Sequence, residues 1–402
     1  MQTLQTKICI IGGGPGGASA SLFLSKQHIP HILVDKKPFP KHKVCGECFD
    51  GRVWHNLNRL SPNYVDDMEA KGIIVKSWKY SLNTQKANVV IDFPKNNTPR
   101  ILTQRYKFDG YLMEQAKQSP YAKIIENQYI ISVEHTDEKI ILKSKTLKIE
   151  ADLGLLATGA FSKLTNHGDS TDDIYLFERA YYRNFEPKEE REVEIYFFKK
   201  PVKGYLYICP AGPELYNVEL SAHKQDLKKN NLKMSDVLHM ALEEYPTVKK
   251  RLDRAEQVAK PKGTFMSFKH RKLNLQADKR LLNIGAAAFC INPITGAGVG
   301  NSMTMARLVT EAITEHLDQP DFVEAVTKTY EKRTKSTFKS LVRTNIVLNF
   351  FMNNISLFEP FMGFVSKTKS FKNLMLHSNL ISNIGNIRFH LKNIYRSYFI
   401  KP

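Results

Sequence analysis

Lys7-Ile8-Cys9-Ile10-Ile11-Gly12-Gly13-Gly14-Pro15-Gly16-Gly17-Ala18, followed by His31-Ile32-Leu33-Val34-Asp35, decides the fold of this chain. The apolar run at 7–11 is β-branched and lacks alternation, which suits a strand buried on both faces. A glycine turn follows at 12–17. Small residues then open a helix over 18–25, and a second apolar strand ends on an acid. The glycines have separate tasks in such a βαβ unit. Gly12 allows the tight turn, Gly14 lets the backbone approach a pyrophosphate, and Gly17 lets the helix pack closely on the strand. The helix N-terminus offers free N–H groups and a positive dipole end to phosphates. Asp35 lies at the end of the second strand, where its carboxylate can accept ribose hydroxyls. These residues predict a dinucleotide site, and Asp35 is compatible with FAD or NAD.

Outward from this unit, residues 36–60 are loop-rich, with Pro38, Pro40 and a Lys/His/Cys/Gly cluster. Strand-like runs follow at 72–75, 87–93, 129–135 and 139–142, with a helical stretch at 108–117 among them. A buried strand at 153–158 leads to Gly159. Residues 174–222 are dense in aromatic and β-branched residues and predict an antiparallel sheet. Helical composition covers 231–256. A short strand at 281–285 leads through a Gly/Pro/Thr loop into a helix at 297–316, and the remainder to 402 reads as helical, aromatic and basic. A βαβ start and a strand-loop-helix return near 285 predict one sheet interrupted by an inserted domain and completed late in the chain.

The chain has 402 residues, of which 42% are hydrophobic, a globular composition long enough for two packed domains. Its net charge of +19 comes from 59 Lys and Arg against 40 Asp and Glu. Nucleic acid is not an expected partner, because the lysines are scattered rather than clustered. Five cysteines and no apparent secretory leader read as reduced and cytoplasmic. No stretch reaches the ~18 uninterrupted apolar residues of a membrane span. The nearest, 346–365, is broken by Asn349, Asn353, Asn354, Glu359 and Pro360. The histidines show no metal-ligand spacing, and no metal is expected.

Further along, Leu281-Leu282-Asn283-Ile284-Gly285-Ala286-Ala287-Ala288 runs toward Asn292-Pro293-Ile294-Thr295-Gly296-Ala297-Gly298-Val299. This resembles the second flavin motif of the FAD oxidoreductases related to p-hydroxybenzoate hydroxylase and geranylgeranyl reductase. Those families carry Gly-Asp-Ala-Ala-Gly, then Pro and Thr-Gly-x-Gly before a long helix. Lys43-Val44-Cys45-Gly46-Glu47 resembles the Lys-x-Cys-Gly stretch of geranylgeranyl reductases. Arg105-x-x-Phe108-Asp109-x-x-Leu112 is similar to the Arg-x-x-Phe-Asp segment of both families. Gly204-Tyr205-Leu206-Tyr207-Ile208-Cys209-Pro210, followed by Asn217-Val218, is similar to their Gly-Tyr-x-Trp-x-x-Pro strand. The resemblance covers about residues 5–316, and the Cys45 stretch favours the reductase branch.

The resemblance implies that Gly12, Gly14 and Gly17 cradle the FAD pyrophosphate and Asp35 the adenosine ribose. Arg105 would sit beside the phosphate or ribityl region. Gly285, Gly296 and Gly298 belong to the second flavin motif, the last two presenting backbone N–H groups to the isoalloxazine edge. Cys45 and Gly46 would lie in the loop over the flavin, with Cys45 a candidate catalytic residue. Two positions depart from the family: Ala286 replaces the aspartate expected after Gly285, and Thr158-Gly159 replaces an Asp-Gly pair. Weaker FAD retention, or reduction by a separate electron donor, is a consistent expectation beside NAD(P)H. Cys45 and Cys48 also form a Cys-x-x-Cys pair, open to a dithiol reading, although one pair cannot build a four-ligand zinc site.

The expected fold is α/β: a Rossmann-like FAD-binding domain with an inserted antiparallel β-sheet substrate domain and a helical C-terminal tail. The expected division assigns 1–75, 101–165 and 275–318 to the FAD domain, 76–100 and 166–274 to the substrate domain, and 319–402 to the tail. The expected chemistry is hydride transfer from reduced flavin to a C=C bond of an isoprenoid or lipid-like substrate, in an apolar pocket lined by the aromatic strands around 175–220. One alternative is a flavin monooxygenase or halogenase acting on an aromatic or polyketide substrate. Another is a non-catalytic descendant that binds a lipid or protein partner. The tail has no acid after Glu359, carries Lys367, Lys369, Lys372, Arg388, Lys392, Arg396 and Lys401, and is rich in phenylalanine. It reads either as a cap on the substrate domain or as a peripheral contact with the inner membrane face.

Overall fold

The computed structural model describes residues 2–92, 98–160, 164, 174–199, 201–212, 214–267, 272–291, 296–353 and 360, with the side chains of 340–353 outside that description. The loop 292–295 and the basic residues singled out after Glu359 also lie outside the described residues.

The first sheet grows from the strand Gln2–Ile11. Parallel neighbours flank it on both sides, His31–Val34 and Leu147–Leu156. Ala122–Ile125 extends one side and Leu281–Asn283 the other, both parallel. The late strand therefore returns to the sheet that opened the chain. It shares one edge of Leu147–Leu156 with Ile140–Lys143, which pairs antiparallel along the first half of that edge.

Side chains of the first strand divide between two cores, because successive residues point to opposite faces. Ile8 and Ile10 join the helices Pro15–Lys26, Arg105–Lys117 and Val299–His316. Cys9 and Ile11 join Ile32, Val34, Ile140 and Ile149 on the other face. The helix Phe322–Asn353 also belongs here: Phe322, Val326, Tyr330 and Phe338 are buried in the first core, and the Tyr330 hydroxyl donates to the Asn283 carbonyl at 2.7 Å.

The second sheet has eight strands and is antiparallel except for one pair. Ile174–Arg183, Leu215–His223, Gly204–Gly212 and Glu192–Phe198 form its centre, and Lys79–Asn83 joins Glu192–Phe198 in parallel. Alternation again separates two faces. Tyr196, Phe198, Leu206, Ile208, Val218 and Leu220 pack with Leu227, Val237 and Val248 of three short helices and with Tyr245, which caps the last two. The opposite face carries Tyr205, Tyr207, Cys209 and Ile195. It rests on Leu102, Val75 and Cys48 of a three-stranded sheet that links it to the first core. The chemistry gathers on this second face.

Candidate active site

The turn between the first strand and helix is shaped by close backbone approach. Gly12 adopts φ +100°, and a Cβ there would stand 2.7 Å from the Ala157 carbonyl oxygen. A Cβ on Gly17 would stand 1.8 Å from the Gly12 carbonyl oxygen, so only glycine lets the helix sit this close. Gly14 is different: nothing lies within 4 Å of where its Cβ would stand. It is the N-cap of a helix with no side-chain cap and no acid in its first turn. That leaves free N–H groups facing open space, a site suited to phosphate.

Asp35 adjoins the same turn, but its carboxylate is already engaged. It accepts from the Gly13 N–H at 2.6 Å, from the Lys37 N–H at 2.9 Å, and from the Lys41 ammonium at 2.6 Å. Asp35 thus ties the turn to the second strand as well as offering an acceptor, and Lys41 is the partner on a flexible stem. Thr158, one of the two departures, has a buried hydroxyl without a hydrogen-bond partner among the described residues. Its Cα lies 3.1 Å from the Cβ position of Gly12.

The segment Lys43 to Cys48 crosses from this turn to the second sheet. Gly46 is pinned through its carbonyl, which accepts from Asn217 Nδ2 at 3.2 Å and from the Cys209 thiol at 3.4 Å. Glu47 takes φ +61° and is fully enclosed. Its carboxylate accepts from the Tyr181 hydroxyl at 2.7 and 2.8 Å and from the Arg105 N–H at 3.1 Å. Arg105 is buried and forks onto Asp109, four residues on, with Nε to Oδ1 at 2.7 Å and Nη2 to Oδ2 at 2.5 Å. The same guanidinium faces the Cys45 thiol. Burial pushes that thiol up, and Arg105 opposes the rise. Lys43 is pushed down to about 8, first by Arg105 and then by burial, and its ammonium lies 3.8 Å from the Cβ position of Gly159. Arg105, Cys45, Gly46 and Lys43 are therefore brought together.

The second flavin motif is placed by packing. Gly285 takes φ +68°, and a Cβ there would also stand 2.5 Å from Ser302 Cβ on the helix Val299–His316. Gly298 is the N-cap of that helix, and Gly296 takes φ +65° beside Met266. Ala286 lies in a single 3-10 turn, Gly285–Ala288.

Cys45 and Cys48 are separately engaged free thiols, Cys48 lying 2.7 Å from the Tyr80 hydroxyl. Among the described residues no group of His, Cys, Asp and Glu could hold a metal ion.

Sequence reading missed the ionic centre of the second sheet. Arg179 and Glu219 stand directly opposite in register, as do Tyr181 and Asn217. Arg179 lies 3.8 Å from Glu47, and its guanidinium covers the Tyr181 ring at 4.2 Å. The aromatic residues expected around 175–220 share this face with Arg179, Asn217 and Glu219, so the face is not the purely apolar one expected. The available signal was period two: Asn217, Glu219, Ser221 and His223 fall on one face of a strand buried on both.

A family model described as "FAD binding domain" matches residues 5–345. The chain belongs to this FAD-binding family. It is an FAD-dependent oxidoreductase, and the glycine cradle, acid-free helix terminus and unpartnered Thr158 hydroxyl fit an anionic dinucleotide. Among its relatives, a digeranylgeranylglycerophospholipid reductase of Thermoplasma acidophilum is 21% identical over 345 residues, covering 83% of this chain and 84% of the relative. One of Methanocaldococcus jannaschii is 25% identical, with 82% of each covered. A geranylgeranyl bacteriochlorophyll reductase-like protein of T. acidophilum shares the fold with TM-score 0.77 at 18% identity, covering 99% of this chain and 97% of that one. A flavin-dependent brominase shares it equally, with TM-score 0.77 at 17% identity over 98% and 100%. Two chemistries on one fold mean that the site must decide between them.

Proposed function

We propose that this FAD-binding family member reduces C=C bonds of an isoprenoid lipid. The observation that carries the reading is the Cys45-Gly46-Glu47 segment, anchored by Arg105, Asn217 and Tyr181 between the glycine turn and the polar, aromatic sheet face. The names of relatives that align over most of the chain support it.

In this reading Gly12, Gly14 and Gly17 hold the FAD pyrophosphate, and Asp35 holds the adenosine ribose once Lys41 swings aside. Gly285 packs the second motif against its helix, and Gly296 and Gly298 present backbone N–H groups toward the flavin ring. Lys43 and Arg105 add positive charge near the cofactor's anionic portion. Bound FAD, once reduced, supplies a hydride; NAD(P)H or a reduced partner protein supplies its electrons. Cys45 and Gly46 border the substrate, and the face of Tyr175, Phe177, Tyr205 and Tyr207 excludes water around its apolar chain. The inserted sheet acts as the substrate domain, and the first sheet with its helices as the cofactor domain.

No helix among the described residues is long and apolar enough to cross a membrane. The acid-free segment after Glu359 acts as a peripheral contact with anionic lipid. Sedimentation with phosphatidylglycerol vesicles, lost on truncation after Pro360, tests that point.

The deciding experiment starts from the FAD-loaded protein, reduced anaerobically with dithionite. Reoxidation by a geranylgeranyl glycerophospholipid in micelles, with a saturated product, supports the reading. Reoxidation by oxygen alone, with hydroxylation or halogenation of an aromatic substrate, overturns it.

A further inference from the structure

We propose that Glu219 is the acid that delivers the proton of the reduction, acting across Gly46 from the centre of the second sheet. This deepens the reductase reading and rests on it.

Saturating a C=C bond takes a hydride at one carbon and a proton at the other. The structure supplies a carboxyl group suited to the second task. Glu219 is buried on the strand Leu215–His223, and its oxygens lie 3.4 and 3.8 Å from where a Cβ on Gly46 would stand. It therefore overhangs the segment that carries Cys45.

Its surroundings leave it protonated. Arg179 faces both Glu219 and Glu47, one cation against two buried carboxyls. Arg105 also faces Glu47, but its fork is committed to Asp109. Lys43 lies on the Arg105, Asp109 and Gly159 side. Tyr207, opposite Glu219 in register, also faces it, as do Tyr205, Cys45 and Cys209. Burial pushes the Glu47 carboxyl up as well, but Arg179, the Tyr181 hydroxyl and the Arg105 N–H oppose that rise, whereas no hydrogen bond to Glu219 is found among the described residues. A second ionised carboxylate here would be buried with only Arg179, shared with Glu47, to compensate it, so one proton is kept. Burial pushes the Glu219 carboxyl up to about 8; Arg179 pulls it back, and Glu47 pushes it further. Buried Arg179 Nε and Asn217 Oδ1 also lack partners among the described residues, marking the same face as built for a guest.

The step balances. One alkene carbon takes the hydride. At the other a C–H bond forms while the Glu219 O–H bond breaks, leaving its electron pair on the carboxylate. Solvent then returns the proton, and the electron donor restores the reduced cofactor.

Two measurements test this. Infrared spectra of the FAD-bound protein at neutral pH should show the C=O band of a protonated carboxylic acid, absent from Glu219→Gln and shifted in Glu219→Asp. Anaerobic reoxidation by geranylgeranyl lipid should slow about 100-fold or more in Glu219→Gln, with FAD binding and dithionite reduction unchanged. Absence of the band, or its persistence in Glu219→Gln, overturns the assignment whatever the substrate. So does an unaltered reoxidation rate in Glu219→Gln while Cys45→Ser is slow, which would make the thiol the donor. If Glu219→Gln misfolds, titration of the wild-type band decides, and its absence at neutral pH overturns the proposal. Wild-type protein is assayed first. Its failure to reduce the lipid removes the reductase reading and this step together, while the band still reports whether Glu219 holds a proton.

Discussion

Glycines that look alike in a motif do different work, and substitution separates them. Gly14 has φ −66° and open space around its Cβ position. Gly14→Ala should leave stability within about 0.5 kcal/mol yet weaken FAD binding about tenfold or more, since the methyl group enters the phosphate's approach. Gly17→Ala should instead cost about 3 kcal/mol or more, because its methyl would overlap the Gly12 carbonyl. Thermal melts with and without FAD read both effects. Arg105 makes a comparable case among charged residues. Removing it strips buried Asp109 of its hydrogen-bonded partner and leaves only the more distant charge of Lys43, so Arg105→Ala should destabilise by about 3–5 kcal/mol. Adding Asp109→Ala should recover part of that loss, and a double-mutant cycle in urea measures the coupling. The motif glycines and Asp35 were legible residue by residue, since each meets a backbone or phosphate requirement. Asp35's three donors were not, because Lys41 meets it only through the fold of the loop.

Elements meet in this protein where side chains are missing or capped. The helix Gly51–Leu60 starts at Asp50, whose carboxylate accepts from the Arg52 N–H at 3.0 Å. A Cβ on Gly300 would stand 2.4 Å from that carboxylate and 2.8 Å from Arg52 Cβ. Farther along, Asn56 Nδ2 donates to Thr304 Oγ1 at 2.9 Å, joining the same two helices. Gly300→Ala should therefore cost about 1–3 kcal/mol, read as a lower urea midpoint with an unchanged slope. The end of the first strand at Ile11 and the extent of the helix Val299–His316 followed from the sequence pattern, but the first strand starts at Gln2 rather than at Lys7, in register with Leu147. The stretch read as helical at 231–256 divides into Met234–Glu244 and Pro246–Asp253, because Pro246 lacks the N–H to continue a helix and suits a first turn. In the strand Leu215–His223, alternation marked a polar face but could not say what covers it.

Over the whole molecule, stability should depend on pH through the ionic centre where the two sheets meet. Folding raises the Glu219 carboxyl from 4.5 to about 8. Its contribution is fully present below the unfolded value and is lost as pH rises through the folded value. Wild-type protein should lose stability between about pH 5 and pH 9, and Glu219→Gln, neutral throughout, should lose less. Urea midpoints across that range check this; parallel curves would contradict it. The same scale separates what the chain declares from what folding adds. The sequence by itself determined the nucleotide-binding opening, the late return of a strand to the first sheet, and the aromatic strands between them. Those properties reside in neighbouring residues: runs of apolar side chains, glycines at fixed offsets, and alternation. Only the tertiary structure brought Glu47, Arg179 and Glu219 together from three distant segments, and packed the helix after residue 318 into the first core. The physical reason is that a buried charge is defined by its partners, and those partners are chosen by strand register and by the crossing of one loop over a sheet.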